Sequence, residues 1–188
     1  MLVLASQSPR RSEILRQAGI PFTVRAAGVD ESVLDGERPG DYVLRLAVAK
    51  AYAVEAADSE TVLGADTTVV VDGEILGKPM DAADAHRMLK RLSGRRHDVL
   101  TGICLRRGEQ SVRDCATTGV IFAALSDAEV HEYVATGEPM DKAGAYAIQG
   151  MASKFVERIE GDYFNVMGLP IALVYRRLRE RAGQNEDA

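Results

Sequence analysis

An apolar run from Thr61 to Val71 is followed directly by Asp72-Gly73, and together they predict that the sheet of this chain contains an antiparallel pair of strands. The run is rich in valine and threonine, which predicts a buried strand, and Asp-Gly between apolar segments is typical of a tight hairpin turn. Residues 74–77 are therefore predicted to return as an antiparallel strand. A second hairpin is predicted from residues 97–105 and 112–123. Since the remaining strands alternate with helices, we expect an α/β fold whose mixed, twisted sheet is flanked by helices.

A single carboxylate, Asp66, interrupts this apolar run. A carboxyl group in such a strand must find a partner, bind a metal ion or have a raised pKa, because burying an isolated charge is very costly. Two interpretations are open at this point. Asp66 is either a structural residue paired with a lysine or a backbone group, or it belongs to a functional site.

The first fifteen residues predict a strand, a tight loop and a helix start. Ser8 is a good N-cap and Pro9 suits the first helical position. Arg10 and Arg11 then place cations in the first turn, where each costs about 0.3–1 kcal/mol against the helix dipole. Free N–H groups, serine hydroxyls and guanidinium groups together suit an anion, above all a phosphate. The alternative is that both arginines lie over the surface with their heads in water.

Composition and missing motifs exclude several classes of protein. The net charge of −5 argues against unspecific nucleic-acid binding, and Cys104 and Cys115 form no zinc or redox motif. No apolar stretch approaches the roughly 20 residues that span a bilayer, so we expect no membrane partner and a cytoplasmic protein. There is no GxxxxGK[ST] loop, no GxGxxG after a strand and no GxSxG, which argues against P-loop, Rossmann and serine-hydrolase chemistry.

Acidic and basic side chains on separate segments remain as candidates for chemistry. Glu31 stands in a polar loop, Lys50 in a helix predicted over 41–54, and Lys78 in the short loop 77–79. Each is a weak signal alone, since a loop glutamate is usually solvated and a helical lysine often lies along the surface. Together they fit one chemistry, because carboxylates suit Mg²⁺ or Mn²⁺ and cationic side chains neutralise a triphosphate.

Short motifs spread over nearly the whole chain carry a resemblance to a known family. In order, they are Ala5-Ser6-Gln7-Ser8-Pro9-Arg10-Arg11, Asp30-Glu31, Lys50-Ala51, Gly64-Ala65-Asp66-Thr67, Gly77-Lys78-Pro79, Ser93-Gly94, His97-x-Val99-x-Thr101-Gly102, Glu138-Pro139-x-Asp141-Lys142-Ala143-Gly144-Ala145-Tyr146, Ile148-Gln149-Gly150 and Gly168-Leu169-Pro170. With these motifs the sequence resembles the Maf family of nucleoside triphosphate pyrophosphatases.

The resemblance implies a fold and an activity. The implied fold is the α/β fold of the inosine triphosphate pyrophosphatases (Maf/Ham1-type), with two lobes around a central cleft. We expect one such domain over residues 1–182 and a polar tail over 183–188. The implied reaction is hydrolysis between the α and β phosphates with a divalent metal, Mg²⁺ or Mn²⁺, which yields the monophosphate and pyrophosphate. The family is also linked to nucleotide-pool cleansing and septum formation, and a homodimer is compatible with it.

The resemblance also implies roles for individual residues. Asp66 resembles the proton acceptor for the attacking water, and Glu31 and Asp66 resemble the metal ligands. The catalytic set that it implies is Asp66, Glu31, Lys50 and Lys78, and the substrate-binding set is Ser8, Arg10, Arg11, Thr67, Lys142 and Gln149. Within the second set, Arg10, Thr67 and Gln149 mark the branch of the family that acts on dTTP and UTP. Two rival hypotheses are a non-catalytic nucleotide sensor acting in septum formation and a hydrolase of another phosphoanhydride.

Overall fold

The computed structural model describes residues 1–26 and 28–183, so the predicted tail lies outside the described residues except for its first glycine. None of the helices within these ranges is long and apolar enough to cross a membrane. In chain order the strands and helices are β1 (Leu2–Leu4), α1 (Pro9–Gln17), β2 (Phe22–Val24), α2 (Pro39–Tyr52), β3 (Thr61–Val71), β4 (Glu74–Leu76), α3 (Ala82–Leu92), β5 (Arg96–Arg107), β6 (Gln110–Phe122), α4 (Asp127–Ala135), β7 (Val156–Glu160), α5 (Tyr163–Met167) and α6 (Ile171–Gly183).

The strands form a seven-stranded mixed sheet in the order β2-β1-β3-β5-β6-β7, with β4 paired to β3. Strand β1 runs parallel to β2 and β3, whereas β3 with β4 and β6 with β7 are antiparallel pairs. The mixed sheet predicted from the Asp72-Gly73 turn is therefore confirmed. Helix α2 begins at Pro39, two residues before the predicted start at Asp41, because proline is well accommodated in the first helical turn.

The chain divides into two compact units. Unit 1 comprises residues 1–66, 101–116 and the segment from Gly168 onward, and unit 2 comprises residues 67–100 and 117–167. Strands β3, β5 and β6 each contribute residues to both units because the chain continues through them. In unit 1, α2 packs on the sheet through a cluster of fully or nearly fully buried small apolar residues: Val3, Ala5, Ala47, Ala51, Val54, Val62 and Cys104.

The core of unit 2 contains a group of aromatic side chains around His97. The ring of His97 lies edge-on to Phe122 and to Tyr146, at centroid distances of 5.0 and 5.4 Å. His97 Nε2 is 2.9 Å from the Tyr146 hydroxyl, and burial lowers the pKa of His97 to about 4. The imidazole is therefore neutral at pH 7 and ties β5 to the loop that contains Tyr146.

Candidate active site

Asp66, Lys50 and Glu31 meet in unit 1. Lys50 Nζ lies 2.6 Å from Asp66 Oδ1 and 2.6 Å from Glu31 Oε1, so one ammonium group bridges two carboxylates. Asp66 is only 7% exposed in the middle of β3, whereas Glu31 is open to solvent. The structure thus identifies Lys50 as the partner that a carboxylate in an apolar strand requires.

The surroundings of Asp66 favour proton uptake. Burial raises the pKa of Asp66 above its ordinary value, although the positive charges of Lys50 and Arg11 oppose that rise. A carboxylate with a raised pKa holds a proton more readily at neutral pH than a solvated one does. Asp66 therefore combines burial, an ion pair with Lys50 and a raised pKa.

Two glycines allow α2 to approach the sheet closely enough for the Lys50 contact. A Cβ atom at Gly64 would lie 2.1 Å from the carbonyl oxygen of Ala47, and one at Gly102 would lie 2.4 Å from that of Val43. Because side chains alternate along a strand, Gly64 and Asp66 share the face of β3 that α2 covers. The missing side chain at Gly64 thus brings the helix against the strand beside the carboxylate.

Helix α2 also anchors the loop that carries Glu31. The Tyr42 hydroxyl donates to the backbone oxygen of Glu31 at 3.0 Å, and Arg45 Nη2 donates to that of Ser32 at 2.9 Å. Arg45 is itself fixed by an ion pair with Glu37 at 2.6 Å. The sequence interpretation missed Tyr42 and Arg45, although their spacing of one helical turn is a signal that they share a face.

At the start of α1 the structure gives the two arginines different surroundings. Arg11 is 8% exposed, with Nε bonded to the Gly168 oxygen at 2.8 Å and Nη1 to Ser6 Oγ at 3.0 Å. Ser6 Oγ also accepts from the backbone N–H of Ser8, whose own side chain does not cap the helix. Arg10 is only partly buried, and its charge adds to the burial that lowers the pKa of Arg11.

Unit 2 contains the remaining predicted residues. Lys78 is exposed in its loop, and the preceding Gly77 accepts a backbone hydrogen bond from Gly144 at 3.0 Å. This bond joins the Lys78 loop to the segment that begins with Lys142. Thr67, which is partly buried, shares a face of β3 with Val69, and the Val69 side chain packs against Gly144.

Gln149 is exposed in a turn of the same segment, which a backbone bond from the Gly150 N–H to the Ala147 oxygen closes at 3.0 Å. Lys142 Nζ donates to the backbone oxygen of Glu138 at 3.3 Å and forms an ion pair with Asp141. This segment contains short 3₁₀ turns over Glu138–Asp141 and Ala143–Ala145. The candidate substrate residues of unit 2 thus stand on tightly bonded turns.

The sequence and the fold both match known proteins. The family model of the Maf-like proteins matches residues 1–181. The chain belongs to the Maf family. It is 56% identical over 186 residues to the dTTP/UTP pyrophosphatase of Anaeromyxobacter dehalogenans (strain 2CP-C), with 97% of this chain and 94% of the relative covered. It is 55% identical over 183 residues to the protein of the same name from Koribacter versatilis, with the same coverage.

The fold expected from the Maf resemblance is confirmed by a solved structure. The Staphylococcus aureus Ham1 protein superimposes with a TM-score of 0.54 at 17% identity, covering 96% of this chain and 98% of that protein. At this identity the likeness concerns the fold alone. The α/β architecture of this Maf chain is therefore of the Ham1 type.

The carboxylates of this Maf chain fit the metal that its family implies. Within residues 1–26 and 28–183, no group of three or more His, Cys, Asp or Glu side chains comes together as a metal cage. Glu31 and Asp66, however, direct one oxygen each toward a common cation, the Lys50 ammonium. Mg²⁺ is commonly held by one or two carboxylates together with substrate phosphates and water. The pair is thus chemically suited to Mg²⁺ or Mn²⁺.

The buried contacts of Arg11 predict a stability effect. In Arg11→Ala, Ser6 Oγ and the Gly168 oxygen lose their donor, so we expect the free energy of unfolding to fall by about 1–3 kcal/mol. Urea unfolding followed by circular dichroism measures this difference. Arg16→Ala, an exposed arginine in the last turn of the same helix, is the control and should change stability by less than about 1 kcal/mol. Equal losses in both variants would show that the buried contacts of Arg11 contribute little.

Proposed function

We propose that this chain is a nucleoside triphosphate pyrophosphatase that hydrolyses dTTP and UTP to the monophosphate and pyrophosphate. The observation that carries the proposal is the buried Asp66 carboxylate, held by Lys50 beside Glu31. Relatives more than half identical over almost the whole chain carry the name dTTP/UTP pyrophosphatase. The proposal therefore rests on a carboxylate suited to proton transfer and on the names of close relatives.

Asp66 acts in this proposal as the general base. Lys50 Nζ engages Asp66 Oδ1, which fixes the plane of the carboxylate, and Oδ2 accepts a proton from the attacking water. The water oxygen forms a bond to the α-phosphorus, and the bond from that phosphorus to the bridging oxygen breaks. The electron pair of the broken bond leaves with pyrophosphate. Arg11 contributes positive charge beside Asp66 and Glu31.

Glu31 and Asp66 would hold Mg²⁺ or Mn²⁺, which when bound neutralises phosphate charge and polarises the phosphorus–oxygen bonds. Before a metal binds, Lys50 keeps the two carboxylates from repelling each other, because its ammonium group lies between them. Tyr42 and Arg45 hold the Glu31 loop in position from α2.

The other candidate residues are assigned to substrate binding. Ser8 and Arg10 stand at the start of α1, where helix N–H groups and cations attract phosphate oxygens. Lys78 and Lys142 supply positive charge on adjoining loops of unit 2. Gln149 offers both a donor and an acceptor, as the imide edge of uracil or thymine requires, and Thr67 completes the residues assigned to base selection.

The reaction is tested by incubating the protein with single triphosphates and Mg²⁺ or Mn²⁺ and separating the products. The expected result is dTMP from dTTP and UMP from UTP, each with an equal amount of pyrophosphate. Release of orthophosphate with a diphosphate would show that another bond is cleaved. Tight dTTP binding with no product after long incubation would instead favour the nucleotide sensor associated with septum formation.

The pH dependence tests the pairing of Asp66 with Lys50. Burial raises the pKa of Asp66 and Lys50 lowers it, so removal of the ammonium group should raise this pKa further. Because the base must be ionised, kcat/KM falls as the pH drops through the pKa of Asp66. In Lys50→Met we expect this acid limb to move to higher pH by about one unit or more.

This shift is measured as kcat/KM across a range from about pH 4 to about pH 9. Lys90→Met is the matched control, because Lys90 is an exposed lysine on α3 that pairs with Asp127 in unit 2. Its acid limb should coincide with that of the unchanged protein. A limb that stays in place in Lys50→Met would remove Lys50 from the control of Asp66.

A further inference from the structure

A two-residue contact in unit 2 holds both ends of the turn that carries Gln149. The Tyr133 hydroxyl donates to Glu138 Oε1 at 2.8 Å and accepts from the backbone N–H of Ala147 at 3.3 Å. The Glu138 carboxylate accepts from the backbone N–H of Met151, at 3.0 Å to Oε1 and 3.2 Å to Oε2. Ala147 begins the turn and Met151 directly follows it, so one hydrogen-bonded pair contacts the turn at both ends.

The packing around this pair leaves little freedom. Tyr133 is 1% exposed on α4, and its ring lies edge-on to Phe155 at a centroid distance of 5.4 Å. Burial raises the pKa of Tyr133, and the adjacent carboxylate adds to that rise, so the hydroxyl keeps its proton and remains a donor. The hydroxyl therefore donates in the bond to Glu138, and the carboxylate oxygen accepts.

Gly150 shows how closely the carboxylate lies against the turn. A Cβ atom at this position would be 2.4 Å from Glu138 Oε1 and 2.7 Å from Glu138 Cδ. A Cβ atom here would therefore force the Glu138 carboxylate, rather than the backbone, to move. Glu138 also accepts a bond from Lys142 Nζ through its backbone oxygen, so one residue contacts both a candidate phosphate ligand and the turn of Gln149.

We propose that Tyr133 and Glu138 are positioning residues that set the base selectivity of the enzyme by holding the Gln149 turn in place. This inference rests on the proposed function, in which Gln149 reads the imide edge of uracil or thymine. An amide offers a donor and an acceptor, so a glutamine free to move can pair with cytosine as well. Selectivity for uracil and thymine then requires that the glutamine be held in one position, as preorganised binding sites require generally.

The test compares kcat/KM for dTTP with kcat/KM for CTP in matched variants. Tyr133→Phe keeps the packed ring and removes both hydroxyl bonds, and Gly150→Ala displaces the Glu138 carboxylate from the turn. In each variant we expect the dTTP to CTP ratio to fall by roughly fivefold or more, mainly through a higher KM for dTTP. Glu138→Gln keeps an acceptor oxygen, so its dTTP to CTP ratio should lie between the ratio of Glu138→Ala and that of the unchanged protein.

Val130→Ala is the control for a general loss of stability, because Val130 is fully buried on α4. It should lower the Tm while leaving the dTTP to CTP ratio unchanged. If Tyr133→Phe and Gly150→Ala also lower only the Tm, the pair is merely structural and the inference is overturned. If the unchanged protein itself does not prefer dTTP to CTP, the proposed substrate assignment fails, and this result is visible without any variant.

Discussion

Asp66→Asn is expected to lower kcat for dTTP hydrolysis by roughly 10²-fold or more, because an amide does not take up the proton of the attacking water. The side chain keeps its shape and retains an oxygen that accepts from Lys50, so the fold should persist. Steady-state kinetics with dTTP, together with a circular dichroism spectrum, measures both effects.

Asp72→Asn is the matched control for this variant. Asp72 is the first residue of the turn between β3 and β4, pairs with Arg95 and has a φ of 54°, a conformation that asparagine adopts readily. Its kcat should match that of the unchanged protein. Near-normal turnover in Asp66→Asn would exclude Asp66 as the base, whatever the control shows.

Gly64→Ala is expected to reduce the free energy of unfolding by about 3 kcal/mol, because the added methyl group meets rigid backbone rather than a flexible side chain. Its Cβ would lie 2.1 Å from the Ala47 oxygen and 2.7 Å from the Ala51 nitrogen. Helix α2 must move away from β3, which also separates Lys50 from Asp66. We therefore expect a lower kcat in the fraction that remains folded.

The control for this substitution is another glycine, on α2 itself. A Cβ atom at Gly40 would meet no heavy atom within 4 Å, and the φ of Gly40 is not unusual, so Gly40→Ala should leave stability unchanged or raise it by up to about 1 kcal/mol. Urea unfolding of both variants gives the comparison. A Gly64→Ala protein as stable as Gly40→Ala would show that α2 does not depend on the close contact at Gly64.

Local sequence patterns were sufficient to predict much of the fold and the need of Asp66 for a partner. The hairpin after β3 follows from Asp72-Gly73, and Asp66 finds the lysine partner that one of its two interpretations required. Both signals lie in residues close together in the chain. The five-residue helix α5 was not predicted, because so short a segment carries almost no periodic signal.

Contacts between distant segments could not be predicted in the same way. The sequence resemblance implies that Arg11 binds substrate, but its bond to the Gly168 oxygen depends on the chain returning to α1 after more than 150 residues. A glycine within a strand suggests that another backbone segment approaches closely, and Gly64 is such a glycine. The sequence does not show, however, that the approaching segment is α2. The contact between Tyr133 and Glu138 could likewise not be related to Gln149 from the sequence, because only the fold brings the Gln149 turn against this pair.

The division of the chain has a consequence for how a newly made protein acquires its structure. Unit 1 combines residues 1–66 and 101–116 with the segment from Gly168 onward, whereas the segments of unit 2 are all synthesised before Gly168. Arg11 donates to the Gly168 oxygen, so this contact of the first helix forms only after more than 150 further residues have been synthesised. The first sixty-six residues, Asp66 included, are therefore synthesised well before the segment from Gly168 onward that completes unit 1.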